Sequence, residues 1–231
     1  NDPTYQGNLV HMDADSFGEI WVIDYPDHRI LCFGSIFEQS AYSFDHPYQL
    51  FHEYTRIMML ALSYLSPKHV TLIGLGGGSL LRSLHHCLPD AEFHVIELRQ
   101  KVYETAKNYF DIPIDDRVSY SIQDAADKIA ELPYKGTDII FSDIYDAYGM
   151  SSLQVQHTFI HHCSRALSAN GWLVINFHRL PEIESTFFKD LMNHFGTIKI
   201  CSGGQLNHVV FAGKPFSINR SLIAERIEKL E

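Results

Sequence analysis

The stretch HVTLIGLGGGS, residues 69–79, joins a largely apolar run to a cluster of four glycines. A continuous apolar run of this length is typical of a strand that is buried on both faces of a parallel sheet. Glycines directly after such a strand permit a tight turn, and they let a ligand approach the backbone beside the N-terminus of the next helix. The stretch therefore predicts the first core strand of an α/β sheet, followed by a ligand-binding turn at Gly74, Gly76, Gly77 and Gly78.

The spacing of these glycines narrows the class of ligand. No Lys-Ser or Lys-Thr pair follows the cluster, which excludes a P-loop. The dinucleotide pattern G-x-G-x-x-G has Ser79 at its third position, so an NAD-dependent oxidoreductase fits the sequence imperfectly. The spacing of Gly74, Gly76 and Gly78 fits a ligand with a single nucleoside better.

Strands and helices alternate along the chain from residue 68 onward. We predict strands at residues 69–73, 93–97, 118–122, 137–142, 172–177, 198–201 and 208–212. The predicted helices end near residues 88 and 109, cover residues 124–132, 153–167 and 183–195, and begin again near residue 217. This alternation indicates a parallel sheet that helices cover on both faces, with the last two strands as an antiparallel hairpin at its edge.

Residues 1–48 show a different pattern. β-rich runs at residues 19–24 and 29–33 flank a turn-forming stretch, and a third run lies near residues 36–40. We therefore predict a small antiparallel β-domain at residues 1–48, followed by an α/β domain at residues 49–231. A helix is predicted from about residue 48 to residue 65, where apolar residues recur at helical spacing.

Composition excludes several classes of protein. The 231-residue chain has a formal net charge of −10, 45% hydrophobic residues and four cysteines. This acidic balance argues against a nucleic-acid partner, because nucleic-acid-binding domains carry a basic face. No apolar run approaches the roughly 18 residues that a membrane span needs, so no membrane partner is expected. The scattered cysteines and the lack of a secretory apolar region predict reduced thiols in a cytoplasmic protein.

Carboxylates stand at the ends of the second and third core strands. Open α/β sheets bind ligands beyond the carboxyl ends of their strands. Glu97 follows the glycines by about 20 residues, where a carboxylate can accept hydrogen bonds from both hydroxyls of a ribose. Asp124, with Ala125 beside it, can accept from an exocyclic amino group such as that of adenine. The alternative role for Asp124 is to cap the next helix.

The segment after the fourth core strand holds two carboxylates and two phenols within six residues: Asp143, Tyr145, Asp146 and Tyr148. Such side chains are poor core material. Asp143 and Asp146 together can hold a cationic amine, and Asp143 can take its proton. Tyr145 or Tyr148 is expected to orient the nucleophile. A plain turn or capping role for this segment is the alternative.

The histidines do not predict a metal site. The adjacent pairs His85-His86 and His161-His162 fall on predicted helices, where neighbours in sequence do not share a face. His178 directly follows the fifth core strand and is expected at the ligand-binding edge, as a structural or a binding residue.

In this order, the glycine cluster, Glu97, Asp124 and the pair Asp143/Asp146 resemble the class I S-adenosylmethionine-dependent transferases. The D-x-x-D after the fourth strand, together with the N-terminal β-hairpins, resembles the spermidine synthase (polyamine aminopropyltransferase) family. The resemblance covers roughly residues 18–180.

Two upstream positions extend the resemblance. Phe51-His52-Glu53 stands where the family has Tyr-His/Gln-Glu, and Gln39 stands where it has a glutamine that contacts the nucleoside. The resemblance implies that Gln39 and His52 contribute to the nucleoside site. It also implies that Asp143 is the base, and that Asp146 binds the amine.

The resemblance implies a Rossmann-like class I methyltransferase fold: a seven-stranded sheet in the order 3-2-1-4-5-7-6, parallel with one antiparallel edge strand, beside the small N-terminal β-domain. It implies transfer of an aminopropyl group from decarboxylated S-adenosylmethionine to a small amine such as putrescine. A homodimer is also expected, since dimers are common in the family and the N-terminal sheet offers an edge for pairing.

Three departures from the family pattern leave alternatives open. Gly77 stands where the family has an Asp that binds the donor's ammonium, Phe51 replaces a Tyr, and residues 205–208 replace a Pro-Thr-Tyr-Pro-type segment. One alternative is a methyltransferase that uses intact S-adenosylmethionine, with Arg56 or Arg82 paired to its carboxylate. The other is a nucleoside-binding protein without turnover.

Overall fold

The computed structural model describes residues 7–34, 38–146, 149–203 and 207–214, together with Ser221, Ile223, Glu225 and Arg226 near the C-terminus. Its first sheet is antiparallel, with four strands paired in chain order. These strands are β1 (Asn8–Asp15), β2 (Gly18–Asp24), β3 (His28–Cys32) and β4 (Glu38–Ser43). The predicted N-terminal antiparallel sheet is thus confirmed. Its boundary with the rest of the chain at residue 48 stays a prediction.

The strand β1 was not predicted from the sequence. Most of its side chains are exposed or half-buried, so the run lacks the apolar alternation that marks a strand packed on a core. The strand is held instead by its pairing with β2 and by the ring of His11, which stacks on Tyr109 with 4.7 Å between centroids. Neither contact can be read from the residues of β1 alone.

The strands that follow residue 68 are β5 (His69–Ile73), β6 (Glu92–Glu97), β7 (Val118–Ile122), β8 (Thr137–Ser142), β9 (Tyr145–Asp146), β10 (Gly149–Met150), β11 (Leu167–Phe177), β12 (Thr197–Ser202) and β13 (His208–Gly213). Seven of them form the large sheet, in the order β12-β13-β11-β8-β5-β6-β7. The pair β9 and β10 forms a separate short hairpin. The order 3-2-1-4-5-7-6 is confirmed. The one antiparallel strand, β13, lies between β11 and the edge strand β12.

Within the ranges that the structure describes without gaps, six α-helices connect these strands: α1 (Glu53–Met59), α2 (Ser79–Cys87), α3 (Gln100–Tyr109), α4 (Ala125–Glu131), α5 (His157–Ala166) and α6 (Thr186–His194). The start of the helix predicted from about residue 217 lies outside the described residues. The helix predicted from residue 48 to residue 65 is present but shorter than predicted, because it begins only at Glu53. The side chain of Arg56 donates from Nη1 to the carbonyl oxygens of Leu50, at 2.8 Å, and Phe51, at 3.1 Å. The backbone therefore turns before it becomes helical at Glu53, and a 3₁₀ turn at Leu60–Ser63 ends the segment.

Apolar side chains fill both faces of the large sheet. One cluster packs α1 and α2 against the face that carries Val70, Leu72 and Trp172, and another packs α5 and α6 against the face that carries Ile140 and Ile175. Helix α3 covers the N-terminal sheet through a third, smaller cluster. Within the ranges that the structure describes, no helix is long and apolar enough to cross a membrane.

Candidate active site

A cavity of about 210 Å³ lies at the carboxyl ends of β5, β6 and β8, where the large sheet meets β4. Open α/β sheets bind their ligands at this edge. Seven of the predicted residues line the cavity: Gln39, Gly74, Gly76, Glu97, Ala125, Asp143 and Tyr145. Gly77 and Gly78 complete the turn next to it, and His52 and Asp124 lie outside its lining.

The turn after β5 requires glycine where the backbone passes under Asp143. Gly74 has a φ of +91°, a conformation that side chains disfavour, and a Cβ there would overlap the carbonyl oxygen of Asp143. The amide of Gly74 donates to the carbonyl oxygen of Ile96 at 2.9 Å. The turn thus stays close to the ends of β6 and β8.

Gly77 is a packing position against the N-terminal sheet. Its amide donates to Ser40 Oγ at 2.8 Å, and a Cβ there would lie 2.8 Å from Ser40 Cβ and 3.0 Å from Phe110 Cδ1. Its φ is not in the left-handed region, so crowding alone excludes a side chain. The carboxylate that the family carries at this position has no room here.

We expect Gly77→Asp to destabilise the protein by about 1–3 kcal/mol, because it overpacks the contact with Ser40 and Phe110. In a Ser40→Gly background the cost of the same substitution should be smaller, since one of the two crowding side chains is gone. Urea unfolding of the four proteins measures both values. A Gly77→Asp protein as stable as the wild type would contradict this account of the turn.

Glu97 ends β6 with its carboxylate fixed by the backbone. Its Oε2 accepts from the amide of Leu75 and its Oε1 from the amide of Arg99, each at 2.9 Å. Burial raises the pKa of Glu97, while these amide hydrogen bonds act in the opposite direction. Each oxygen still has a lone pair free, so the carboxylate is an oriented acceptor for two ligand hydroxyls.

The side chain of Arg99 ties this edge to the N-terminal sheet. It makes a two-point ion pair with Asp15, at 3.0 Å from Nε and 2.9 Å from Nη2, and it donates to the carbonyl oxygen of Gly18 at 2.8 Å. The guanidinium also lies over the ring of Phe33, which lines the cavity. The β1–β2 hairpin therefore closes one side of the ligand site.

Asp124 takes the capping role that the sequence left open. Its Oδ1 accepts from the amide of Ala126 at 2.8 Å, as the N-cap of α4, and its side chain is exposed. Ala125, the first residue of that helix, lines the cavity. A contact between Asp124 and a nucleobase stays a prediction.

Gln39 and His52 approach the site from different sides. Gln39 of β4 lines the cavity next to Ser40. The ring of His52 stacks on Tyr54 with 5.6 Å between centroids, and its Nε2 lies 3.3 Å from Glu38 Oε1. His52 is not among the residues that line the cavity, and its predicted nucleoside contact stays a prediction.

Asp143 directly follows β8, and both of its carboxylate oxygens accept hydrogen bonds from side chains. Its Oδ2 accepts from the hydroxyl of Tyr54 at 3.0 Å, and its Oδ1 accepts from Asn176 Nδ2 at 2.9 Å. Burial raises the pKa of Asp143, and the two hydrogen bonds act against that rise. Burial and Asp143 itself hold the pKa of Tyr54 well above its usual value, so Tyr54 remains a donor at neutral pH.

The two phenols predicted to orient a nucleophile have different outcomes. Tyr145 lines the cavity, its hydroxyl donates to the carbonyl oxygen of Asn176 at 3.3 Å, and its ring packs on His178 at 4.4 Å. Tyr148 lies outside the described residues. Asp146 is described only through its backbone in β9, so its predicted contact with an amine remains a prediction.

Tyr54 and Asn176 are site residues that the sequence patterns did not predict. Tyr54 lies three residues after Phe51, the position that lacks the hydroxyl of the family pattern. Asn176 is a polar residue in an otherwise apolar run and is only 1% exposed. A buried Asn near the carboxyl end of a core strand needs hydrogen-bond partners. A polar residue near the end of an apolar strand is therefore the sequence signal that could have identified Asn176.

The two arginines proposed to bind a donor carboxylate are both engaged with the backbone. Arg82 is buried, and its Nη1 donates to the carbonyl oxygens of Gly77 and Phe110, each at 2.7 Å. Its burial lowers the pKa of the guanidinium to about 10. Arg56 donates to the chain before α1, as described above. Neither residue is among those that line the cavity, as far as the structure describes it.

Known proteins resemble this chain along most of its length. The sequence model of the spermine/spermidine synthase domain matches residues 51–204, more than half of the chain. A polyamine aminopropyltransferase of Neisseria meningitidis is 28% identical over 220 residues, which cover 93% of this chain and 84% of that protein. An eEF1A lysine and N-terminal methyltransferase of Xenopus laevis is 31% identical over 116 residues, 46% of this chain and 17% of that protein.

The fold also has a solved counterpart. The crystal structure of a probable spermidine synthase from Corynebacterium glutamicum superposes with a TM-score of 0.81 at 18% identity, and the match covers 96% of this chain and 87% of that one. This likeness confirms the Rossmann-like fold beside an N-terminal β-sheet.

Proposed function

The chain belongs to the spermine/spermidine synthase family, and we propose that it transfers an aminopropyl group from decarboxylated S-adenosylmethionine to a small amine such as putrescine. The observation that carries this proposal is the environment of Asp143. This carboxylate stands at the ligand-binding edge with both oxygens held by neutral donors, Tyr54 and Asn176. Each oxygen keeps a lone pair with which to accept a hydrogen bond from an ammonium group.

The reaction needs an electrophilic carbon and a neutral amine. A sulfonium makes the carbon attached to it electrophilic. The amine nitrogen bonds to that carbon while the carbon–sulfur bond breaks, and the electron pair of that bond goes to sulfur as the thioether leaves. An alkylamine such as this acceptor has a pKa of about 10.4, so it must lose a proton before it attacks. Asp143 takes that proton, and its raised pKa makes it a better base.

The polar groups of the cavity suit a nucleoside donor. Glu97 offers two acceptor oxygens for ribose hydroxyls, and the turn that begins at Gly74 brings backbone close to the ligand. Gln39 and Ala125 line the same cavity and complete the proposed nucleoside site. We propose that this cavity holds the adenosyl part of the donor.

The engaged arginines favour a donor without a carboxylate. A buried carboxylate needs a cationic partner, because an unpaired charge is costly in a dry site. Arg56 and Arg82 are not among the described residues that line the cavity, and Arg99, which does line it, is paired with Asp15. A decarboxylated donor does not need such a partner.

Incubation with putrescine and either form of the donor tests the proposal, with products identified by mass spectrometry. We expect methylthioadenosine and spermidine from the decarboxylated donor, and much less product from intact S-adenosylmethionine. An unreactive protein that binds methylthioadenosine tightly would contradict the proposal and favour a nucleoside-binding role. The same assay with other amines identifies the acceptor.

A second candidate function is methyl transfer to an amine. Gly77 removes the carboxylate with which the family pattern recognises a decarboxylated donor, and part of the chain resembles a protein methyltransferase. Formation of S-adenosylhomocysteine in the same assay would favour this candidate. The base at Asp143 serves either reaction, because both nucleophiles are amines that must lose a proton.

Two further properties belong to this proposal. We place the reaction in the cytoplasm, since all four cysteines are free thiols. We also expect a homodimer, because among the described residues no strand pairs with the outer edge of β1, and Leu9 and Met12 are exposed on that strand.

A further inference from the structure

A chain of three side chains leads from the segment before β13 to the proposed base. Asn207 Nδ2 donates to Asn176 Oδ1 at 3.0 Å, and Asn176 Nδ2 donates to Asp143 Oδ1 at 2.9 Å. Asn207 lies where the sequence departs from the Pro-Thr-Tyr-Pro-type segment of the family. It is therefore a residue of this chain to which the family pattern assigns no role.

The backbone of Asn176 is fixed, so that the variable feature of this residue is the orientation of its side-chain amide. Its side chain is 1% exposed, and its carbonyl oxygen accepts from Gln154 Nε2 and from the hydroxyl of Tyr145, each at 3.3 Å. An amide can occupy the same space with its oxygen and nitrogen exchanged. The donor of Asn207 selects one of these orientations, the one in which Asn176 Oδ1 faces Asn207.

The backbone of Asn207 is itself fixed. Its carbonyl oxygen accepts from the amide of Gly203 at 3.0 Å. The next residue, His208, pairs with Ser202 in the β12–β13 ladder, and the two side chains are hydrogen bonded at 2.7 Å. The donor of Asn207 therefore has a defined place relative to β11.

We propose that Asn207 is a positioning residue for the transfer reaction, and that it acts through Asn176 to keep a hydrogen-bond donor on Asp143. This proposal rests on the proposed function. If the Asn176 amide had its oxygen and nitrogen exchanged, its oxygen would face a carboxylate oxygen of Asp143 and disfavour the ionised form of Asp143. The base must be ionised to accept a proton, so the orientation of one amide decides how much active base is present at a given pH.

Other groups act on the same carboxylate and must be held constant in the test. Tyr54 of α1 donates to it, His52 precedes that helix, Tyr145 lies on β9, and His178 follows β11. The test substitutions leave all four unchanged.

The decisive variant is Asn207→Asp, which has nearly the same shape but replaces the donor by an acceptor. Asn176 should then turn its Nδ2 toward residue 207 and its oxygen toward Asp143. We expect the acidic limb of the kcat/KM profile to move to higher pH by on the order of one pH unit. At a fixed pH near that limb kcat should fall, while the KM for the donor should stay within about twofold, because the nucleoside contacts are untouched.

Asn207→Asp also adds a negative charge, which can act on Asp143 directly. The same substitution in an Asn176→Leu background separates that direct effect from the effect that acts through the Asn176 amide. We expect Asn207→Asp to shift the limb there by less than half as much, since no amide remains to reorient. Asn193→Asp, on the exposed side of α6, is the control for a distant charge and should leave the limb in place. If Asn176→Leu does not fold, as judged by thermal unfolding, Asn176→Ala replaces it.

A ¹³C NMR titration of the Asp143 carboxyl carbon measures the pKa of Asp143 without any enzymatic turnover. The Asp143→Asn variant assigns the signal. A raised pKa in Asn207→Asp that is largely lost in the Asn176→Leu background supports the proposal. An equal shift in both backgrounds, or no shift in either, overturns it. If the wild type transfers no group but the titration behaves as expected, the proposed function fails and the positioning role of Asn207 on Asp143 stands.

Discussion

Replacing Asp143 by Asn is expected to lower kcat by about 10²–10⁴-fold and at the same time to raise the thermal stability of the protein. The loss of rate follows from the loss of the base, since an amide cannot take a proton from the attacking amine. The side chain keeps its two partners: Oδ1 accepts from Asn176, and Nδ2 donates to the Tyr54 oxygen, whose hydrogen can turn away. The Tyr54 hydroxyl keeps this contact as an acceptor but loses Asp143 as the acceptor of its own hydrogen, which offsets part of the gain in stability.

The gain in stability follows from the sign of the pKa shift. Burial raises the pKa of Asp143 in the folded state, so the fold favours the neutral carboxyl. That favourable contribution is present below the unfolded pKa and is lost as the pH rises through the folded pKa. At pH 7 the ionised carboxylate therefore costs stability, and the neutral amide of Asn does not carry that cost.

Thermal unfolding at several pH values measures this difference. The advantage of Asp143→Asn over the wild type should shrink as the pH is lowered through the folded pKa, because the wild-type carboxyl becomes neutral too. Asp116→Asn, at an exposed carboxylate before β7, is the matched control and should change neither kcat nor the unfolding temperature appreciably. Full transfer activity in Asp143→Asn would show that another group is the base.

The second large effect is expected at Glu97. In Glu97→Gln one carboxylate oxygen becomes an amide nitrogen, which then faces the backbone amide of Leu75 or of Arg99, donor against donor. The ribose of the donor also loses a charged acceptor. We expect the affinity for methylthioadenosine to fall by about 10–100-fold, which corresponds to roughly 1.5–3 kcal/mol for hydrogen bonds to a charged group. Isothermal titration calorimetry measures this change.

Glu92 supplies the control, because it stands at the opposite end of the same strand. Its carboxylate is exposed and lies 3.5 Å from His69 Nδ1, far from the ligand edge. Glu92→Gln should leave the affinity for methylthioadenosine within about twofold, since exposed ion pairs contribute little. If both substitutions weaken binding equally, Glu97 is not the ribose acceptor.

The ends of the core strands can be read from the sequence, and so can the residues that stand on them. The strands β5, β7 and β8 begin and end at the predicted residues, because each is a compact β-rich run bounded by glycines or polar residues. The strand pattern alone therefore predicts that Glu97 and Asp143 share one edge of the sheet. The parallel direction of these strands is the physical reason, since it brings their carboxyl ends together.

The partners of Asp143 could not be read in the same way. Asn176 and Tyr54 come to it from 33 and 89 residues away in sequence. Which face of α1 meets the cavity depends on where that helix begins, and Arg56 fixes this by holding carbonyl oxygens before the helix. For Asp124 the sequence allowed both a ligand contact and a helix cap; the structure shows the cap, and the ligand contact stays a prediction.

The bonds from Ser40 to Gly77 and from Asp15 to Arg99 join the two sheets at the point where the nucleoside is proposed to bind. The small sheet is therefore part of the wall of the site. A chain that began at residue 49 would keep Glu97 and the glycine turn in its sequence but lose the side chains that hold the turn in place. Recombination at residue 48 would therefore separate the proposed ligand site from the side chains of the N-terminal sheet that hold it, and we expect the two parts of the chain to be inherited together.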